Sequence, residues 1–186
     1  MRNLVYGINV TLDGCCDHTK GMADDELHEF WTDILKDAGT LLYGRKTYEL
    51  MVPFWPDMAK DDSAPTEALM DFAKTFSEKD IVVVSRTLDN SAMRGNATVI
   101  SGNLADEITR LKEADGKNIL TGGVDLPSQL VELGLVDDFL FVVQPIIAGE
   151  GRRLMENTNL AEKLQLQLVD STTFKSGSVA LRYSKE

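Results

Sequence analysis

What most constrains this chain is an alternation. Short apolar runs are each followed by a stretch whose apolar positions recur every three or four residues, and the pattern repeats to about residue 135. Residues 2–10 are rich in Val, Ile and Tyr and read as a strand ending near Thr11. Leu27, Phe30, Trp31, Ile34 and Leu35 then trace one face of a helix, with Trp31 expected in the core. Asp24, Asp25 and Glu26 precede that face, where acids favour a helix N-terminus. Leu41-Leu42-Tyr43 reads as a short buried strand, followed at once by Gly44 and a short helix. The stretch from Val52 to Pro65, with Pro53, Trp55 and Pro56, reads as a long loop. A helix beginning near Pro65 carries Leu69, Phe72, Ala73 and Phe76.

The alternation continues with strands at Ile81–Val84, Thr98–Ile100 and Asn118–Thr121. Between and after them come helix stripes at Leu104, Ile108 and Leu111, with Asn103 as a cap, and at Leu126, Leu130 and Leu133. From Val136 the grammar changes. Phe139 to Ile147 reads as a long strand, and Ala148 to Asn159 is Gly-rich and charged. Leu164, Leu166 and Leu168 alternate with glutamines, as Val179, Leu181 and Tyr183 do with polar residues, and Ser176-Gly177 joins the two runs. The expected class is therefore α/β: a mostly parallel central sheet with flanking helices and an antiparallel C-terminal ribbon. Without repeat, linker or low-complexity tract, the chain is expected to be a single domain over residues 1–186.

A net charge of −11 argues against nucleic acid or an anionic membrane as partner, since both require a basic face. No run reaches the ~18 apolar residues of a membrane-spanning helix. The two cysteines, Cys15 and Cys16, are adjacent and cannot build a disulfide framework, so a reducing cytoplasm is the expected compartment. Cys15-Cys16-Asp17-His18 does not read as a metal site, because neighbouring cysteines rarely reach one ion together.

Ligands of open α/β sheets bind beyond the carboxyl ends of the strands. Three turns there carry phosphate-binding chemistry. Gly44-Arg45-Lys46-Thr47 offers a sharp turn, a guanidinium fork, an ammonium and a hydroxyl at a helix start. Ser85-Arg86-Thr87 follows the apolar strand, and Thr121-Gly122-Gly123 exposes backbone N–H groups before a helix. Neither the Gly-x-Gly-x-x-Gly fingerprint nor a P-loop is present. A dinucleotide, which must be held at two phosphate regions, fits the set.

These turns, in order with Leu12-Asp13-Gly14, Leu133-Gly134-Leu135-Val136-Asp137-Asp138, Pro145 and Gly149-Glu150-Gly151, resemble the dihydrofolate reductase-like superfamily. Within it they resemble the RibD C-terminal domain, the reductase domain of riboflavin biosynthesis. The resemblance implies an NADPH-dependent reductase of a flat heterocycle, pterin-like or a pyrimidine riboflavin precursor. Arg45, Lys46, Thr47, Ser85 and Arg86, after Gly44, would then hold the 2′-phosphate side of NADPH. Thr121, Gly122, Gly123 and Val124 would lie at its pyrophosphate, and the strand from Ile8 to Val10 beside its nicotinamide. Asp13 and Gly14 would border the substrate. Trp55, with Phe54, would either wall that pocket or pack a loop down.

The family's usual lysine after Asp-Gly is Cys15 here, and its usual acid before the paired glycines is Thr121. Both are linked there to a phosphoribosyl substrate, so a different or relaxed substrate is implied. No catalytic residue is assigned: Glu26, His28 and Glu29 lie where a folate reductase keeps its carboxylate, without falling on that position. Cys15 is either a reactive thiol in a mobile loop or a small residue. Arg152 and Arg153 follow a Gly-rich turn and read as solvated, with contact to an anionic substrate as the alternative. The resemblance further implies a homodimer joined through the C-terminal strands. A true folate reductase and a catalytically silent NADPH-binding protein are the alternatives.

Overall fold

The computed structural model describes residues 1–61 and 64–185. It divides into two compact units, residues 1–2 with 23–120 and residues 3–22 with 121–186. Each unit draws on two separated stretches of chain.

The first unit begins with helix α1 (Asp25–Asp37), whose Asp24 carboxylate caps Leu27 N–H at 2.8 Å. Its buried face is Leu27, Thr32 and Leu35, whereas Trp31 is only half-buried. Strand β2 (Ala38–Gly44) leads directly into helix α2 (Arg45–Asp61), and helix α3 (Glu67–Ser77) follows, capped by the Thr66 hydroxyl. Strand β3 (Asp80–Val84), strand β4 (Ala97–Ile100), helix α4 (Leu104–Glu113) and strand β5 (Asn118–Thr121) complete the unit, β5 ending at its border. Asn103 caps α4 through Asp106 N–H, as its sequence position implies. The strands lie in the order β4-β3-β2-β5. β3 therefore has a neighbour on both sides, which explains its unbroken Ile-Val-Val-Val run.

The expected loop over 52–65 is a correction. Residues 52–61 belong to the 17-residue α2, with Pro53 and Pro56 inside it; residues 62 and 63 lie outside the described residues. A proline within a helix forfeits one backbone hydrogen bond and crowds the carbonyl four residues earlier, at about 3 kcal/mol. Tertiary packing offsets that cost. Trp55 lies 4.5 Å from Phe72 between ring centroids and 6.5 Å from Phe76, and His28 of α1 completes the aromatic cluster. The Tyr48 hydroxyl, on the buried side of α2, accepts from Arg94 N–H at 2.9 Å.

The second unit holds strand β1 (Leu4–Thr11), helix α5 (Asp125–Glu132), and strands β6 (Asp138–Gln144), β7 (Leu166–Thr173) and β8 (Val179–Lys185). β1 runs parallel to β6, with Val5 opposite Asp138 and Thr11 opposite Gln144. β8 then pairs antiparallel with both β6 and β7, giving the order β1-β6-β8-β7. Both expectations for the sheet hold: parallel strands first, an antiparallel ribbon last. β6 stops at Gln144 rather than Ile147 because Pro145 cannot donate to a ladder. Leu133, expected on the α5 stripe, is the C-cap and is exposed.

Phe72 is buried at the centre of the aromatic cluster, touching Trp55, His28 and Phe76. Phe72→Ala is expected to cost about 3–5 kcal/mol, read as a lowered denaturation midpoint in urea.

Candidate functional site

Parallel pairing determines what meets at the strand ends of the first unit. Gly44 stands opposite Val84, so the turns after β2 and β3 emerge side by side. Arg45, the first residue of α2, reaches across 42 positions to donate from Nη1 to Thr87 Oγ1 at 3.1 Å. Its Nε donates to Glu49 Oε1 one helical turn along at 2.7 Å. Ser85 Oγ accepts from the N–H groups of Thr87 and Leu88 at 3.2 and 3.1 Å, folding the second turn back on itself. Ser85 is buried, while Arg45, Lys46, Arg86 and Thr87 stand exposed around it. The result is an exposed, hydroxyl-lined basic cluster. Trp55, in the same unit, belongs to the aromatic cluster of α2 and α3. On α1, Glu29 is exposed and Glu26 half-buried, and His28 Nδ1 lies 2.8 Å from the carbonyl oxygen of Asp24.

In the second unit, Gly122, Gly123 and Val124 form the turn before α5. Gly123 adopts φ +90°, a conformation side chains disfavour, and Val124 is an N-cap without a side-chain hydrogen bond. Tyr6 holds this turn: its fully buried ring lies on the same face of β1 as Ile8 and Val10, and its hydroxyl donates to Gly123 O at 2.8 Å. Burial pushes the Tyr6 phenol far above its ordinary range, so it stays a donor. The sequence reading missed Tyr6, although the two-residue strand period that selects Ile8 and Val10 also selects it.

Asp13 is the most heavily bonded side chain of the loop after β1. Its carboxylate accepts from the Thr11 hydroxyl at 2.5 Å and from the backbone N–H groups of Ala148 and Gly149 at 3.0 and 2.8 Å. Arg153 Nη1 lies 2.9 Å from Oδ2 and also donates to the Asp13 carbonyl. Led by the Thr11 hydrogen bond, these donors drive the carboxyl well below the usual range. Gly14, at φ +81°, turns the chain, and its carbonyl accepts from Leu154 N–H at 2.8 Å.

The segment expected to be mobile is thus stitched to residues 148–154. Cys15 pairs with Arg153 in a β-bridge, and Cys16 N–H donates to Arg152 O at 2.7 Å. Cys15 is only 1% exposed, and a Cβ on Gly151 would stand 2.7 Å from its Sγ. That contact accounts for the glycine at 151, where a side chain would collide with the Cys15 thiol. Burial raises the Cys16 thiol to about 11, so it is protonated at neutral pH. Lys20 joins Glu150 at 2.6 Å, and the buried Gln144 amide grips Met22 through both its N–H and its carbonyl. Arg152 and Arg153 keep about two-fifths of their side chains exposed and also form ion pairs with Asp125, Glu156 and Asp13.

A lowered folded-state pKa means that the Asp13 contribution to stability is complete above the unfolded carboxylate value, about 3.9. It is lost as the pH falls through the folded value. Asp13→Asn is expected to melt below the parent at pH 7, with the two melting temperatures converging as the pH falls below about 4.

The chain is 33% identical over 189 residues to the uncharacterized protein YyaP of Bacillus subtilis (strain 168), covering 98% of this chain and 94% of that one. It superposes on a Shewanella sp. PV-4 protein assigned to riboflavin biosynthesis with TM-score 0.71 at 19% identity, covering 100% of this chain and 99% of the other. It superposes on dihydrofolate reductase from Enterococcus faecalis, complexed with NADP(H), with TM-score 0.65 at 13% identity, covering 99% and 96%. At those identities the two superpositions show a shared dihydrofolate reductase-like fold. The model of the RibD C-terminal domain matches residues 2–180, and the chain belongs to that family.

Proposed function

We propose that this protein is an NADPH-dependent reductase of a pterin- or pyrimidine-like heterocycle. The observation that carries this reading is the cluster of Arg45, Ser85 and Thr87 on adjacent parallel strand ends, in a chain of the RibD C-terminal family. A structural neighbour from Thermotoga maritima, of whose chain this one spans 57%, carries both a deaminase and 5-amino-6-(5-phosphoribosylamino)uracil reductase in its name, and the second of these supports reduction as the reaction class.

The residues present fit the cofactor's two phosphate regions. Arg45 offers an exposed guanidinium fork beside two hydroxyls, with Lys46, Thr47 and Arg86 on the same two turns, and this chemistry favours the dianionic 2′-phosphate of NADPH over the ribose hydroxyl of NADH. Gly122 and Gly123 allow a diphosphate to approach backbone N–H groups at a positive helix end. When bound, NADPH supplies the hydride, and the chain binds, orients and excludes water. Ile8 and Val10 flank the nicotinamide in this reading, and Asp13 and Gly14 border the substrate. Asp13 remains ionised at working pH and serves by position rather than by giving up a proton.

We also infer a homodimer. β7 is an end strand, exposed along nearly its whole length, with Leu168 and Val169 at 51% and 56% exposure. An exposed end strand carrying adjacent Leu168 and Val169 is suited to pairing with a second copy. A reducing cytoplasm fits the two free cysteines, and among the described residues no helix is long and apolar enough to cross a membrane.

Calorimetric titration with NADPH and NADH tests the reading. Tight NADPH binding is expected, weakened about 10–100-fold by Arg45→Ala while NADH affinity stays nearly unchanged, the loss of one charge-assisted phosphate contact. NADPH oxidation driven by a pyrimidine rather than dihydrofolate would then separate a riboflavin-type reductase from a folate reductase. Binding without oxidation by either would indicate a silent nucleotide-binding protein, and no binding of either nucleotide would overturn the proposal.

A further inference from the structure

Immediately after the Gly122-Gly123-Val124 turn, the first residue of α5 is a carboxylate, Asp125. An acid at a helix start complements the backbone dipole, yet it competes for the same positive end with any anion approaching the turn. At a few ångströms, like charges near a protein surface interact strongly enough to decide affinity.

Arg152 meets that carboxylate face on. Its Nη2 lies 2.8 Å from Asp125 Oδ1 and its Nη1 3.1 Å from Oδ2, a bidentate pair. Its Nε donates to Glu156 Oε1 at 2.7 Å. The hydrogen bond to Asp125, then that to Glu156, raises the guanidinium above its ordinary value, so it stays charged throughout the working range. Both side chains of the pair are about half-exposed, so the pair borders solvent where a ligand can approach. The backbone of Arg152 is fixed independently, its carbonyl accepting from Cys16 N–H.

We propose that Arg152 is a positioning residue that neutralises Asp125 and so allows the Gly122-Gly123 turn to take the diphosphate of a dinucleotide. The role rests on the NADPH reading above. It requires no contact between Arg152 and the phosphates; the guanidinium acts through Asp125.

The experiment uses full-length protein and three probes: NADPH and NADH, which share the diphosphate, and adenosine 2′-phosphate, which lacks it. Arg152→Ala is expected to weaken NADPH and NADH alike by about tenfold, and to leave adenosine 2′-phosphate within about twofold. Adding Asp125→Asn to that variant is expected to restore most of the lost affinity. Arg152→Gln, which retains a hydrogen-bond donor toward Asp125 without the charge, should behave as Arg152→Ala does and serves if the alanine variant folds poorly. Unchanged NADPH affinity in both Arg152 variants would overturn the inference. So would a double variant as weak as the single one, which would mean a role independent of Asp125. A common loss for all three probes with a lowered melting temperature would also overturn it, as a merely structural role. Failure of the parent protein to bind NADPH or NADH is read before any Arg152 variant is made, and sinks the NADPH reading itself.

Discussion

Parallel strand pairing is the constraint from which the candidate chemistry follows. When β2 and β3 run in the same direction with Gly44 opposite Val84, their carboxyl ends arrive side by side, and the turns that follow them share one patch of surface. Arg45 and Thr87 meet for that reason alone. The same rule places the end of β1 beside the end of β6, so the Asp13 loop and residues 145–154 emerge together and can be stitched into one structure. An antiparallel arrangement would send each of these turns to opposite edges.

Charge compensation governs the loops of the second unit. Asp13 with Arg153, Lys20 with Glu150, and Arg152 with Asp125 and Glu156 leave each of these ions partnered within a few ångströms. Exposed pairs of this kind contribute little stability individually. Asp13 differs because two backbone N–H groups and a hydroxyl reinforce its ion pair, so the carboxylate acts as a template on which the 148–149 backbone is folded. Four donors converging on an acid beside a glycine indicate an organising role for it.

Where sequence and structure part, the cause is long-range packing. Pro53 and Pro56 are strong local signals against a helix, and they are overruled because Trp55 between them joins a cluster with Phe72, Phe76 and His28 that no local pattern announces. Tyr6 had a signal in the alternation of β1, but its importance lies in a hydrogen bond to a carbonyl 117 positions away. Cys15, open in the sequence to being either a reactive thiol or a small residue, is buried with its sulfur beside Gly151, a contact no local window contains.

The amino-acid sequence by itself determined most of the strand and helix periods, the change from parallel sheet to C-terminal ribbon, the acidic start of α1, the cap at Asn103, and the positions of the three glycine- or hydroxyl-bearing turns. Those features depend on the periods of 2 and 3.6 residues and on side chains satisfying their own nearby backbone, all of which lie within a few positions of one another. Tertiary structure alone decided that α2 continues through two prolines, that Arg45 finds Thr87, that Asp13 faces Ala148 and Gly149, and that Arg152 covers Asp125. These contacts span from 27 to more than 100 positions. Their energies appear only once the sheet register has brought the partners within hydrogen-bonding distance, and no local window of sequence contains both ends.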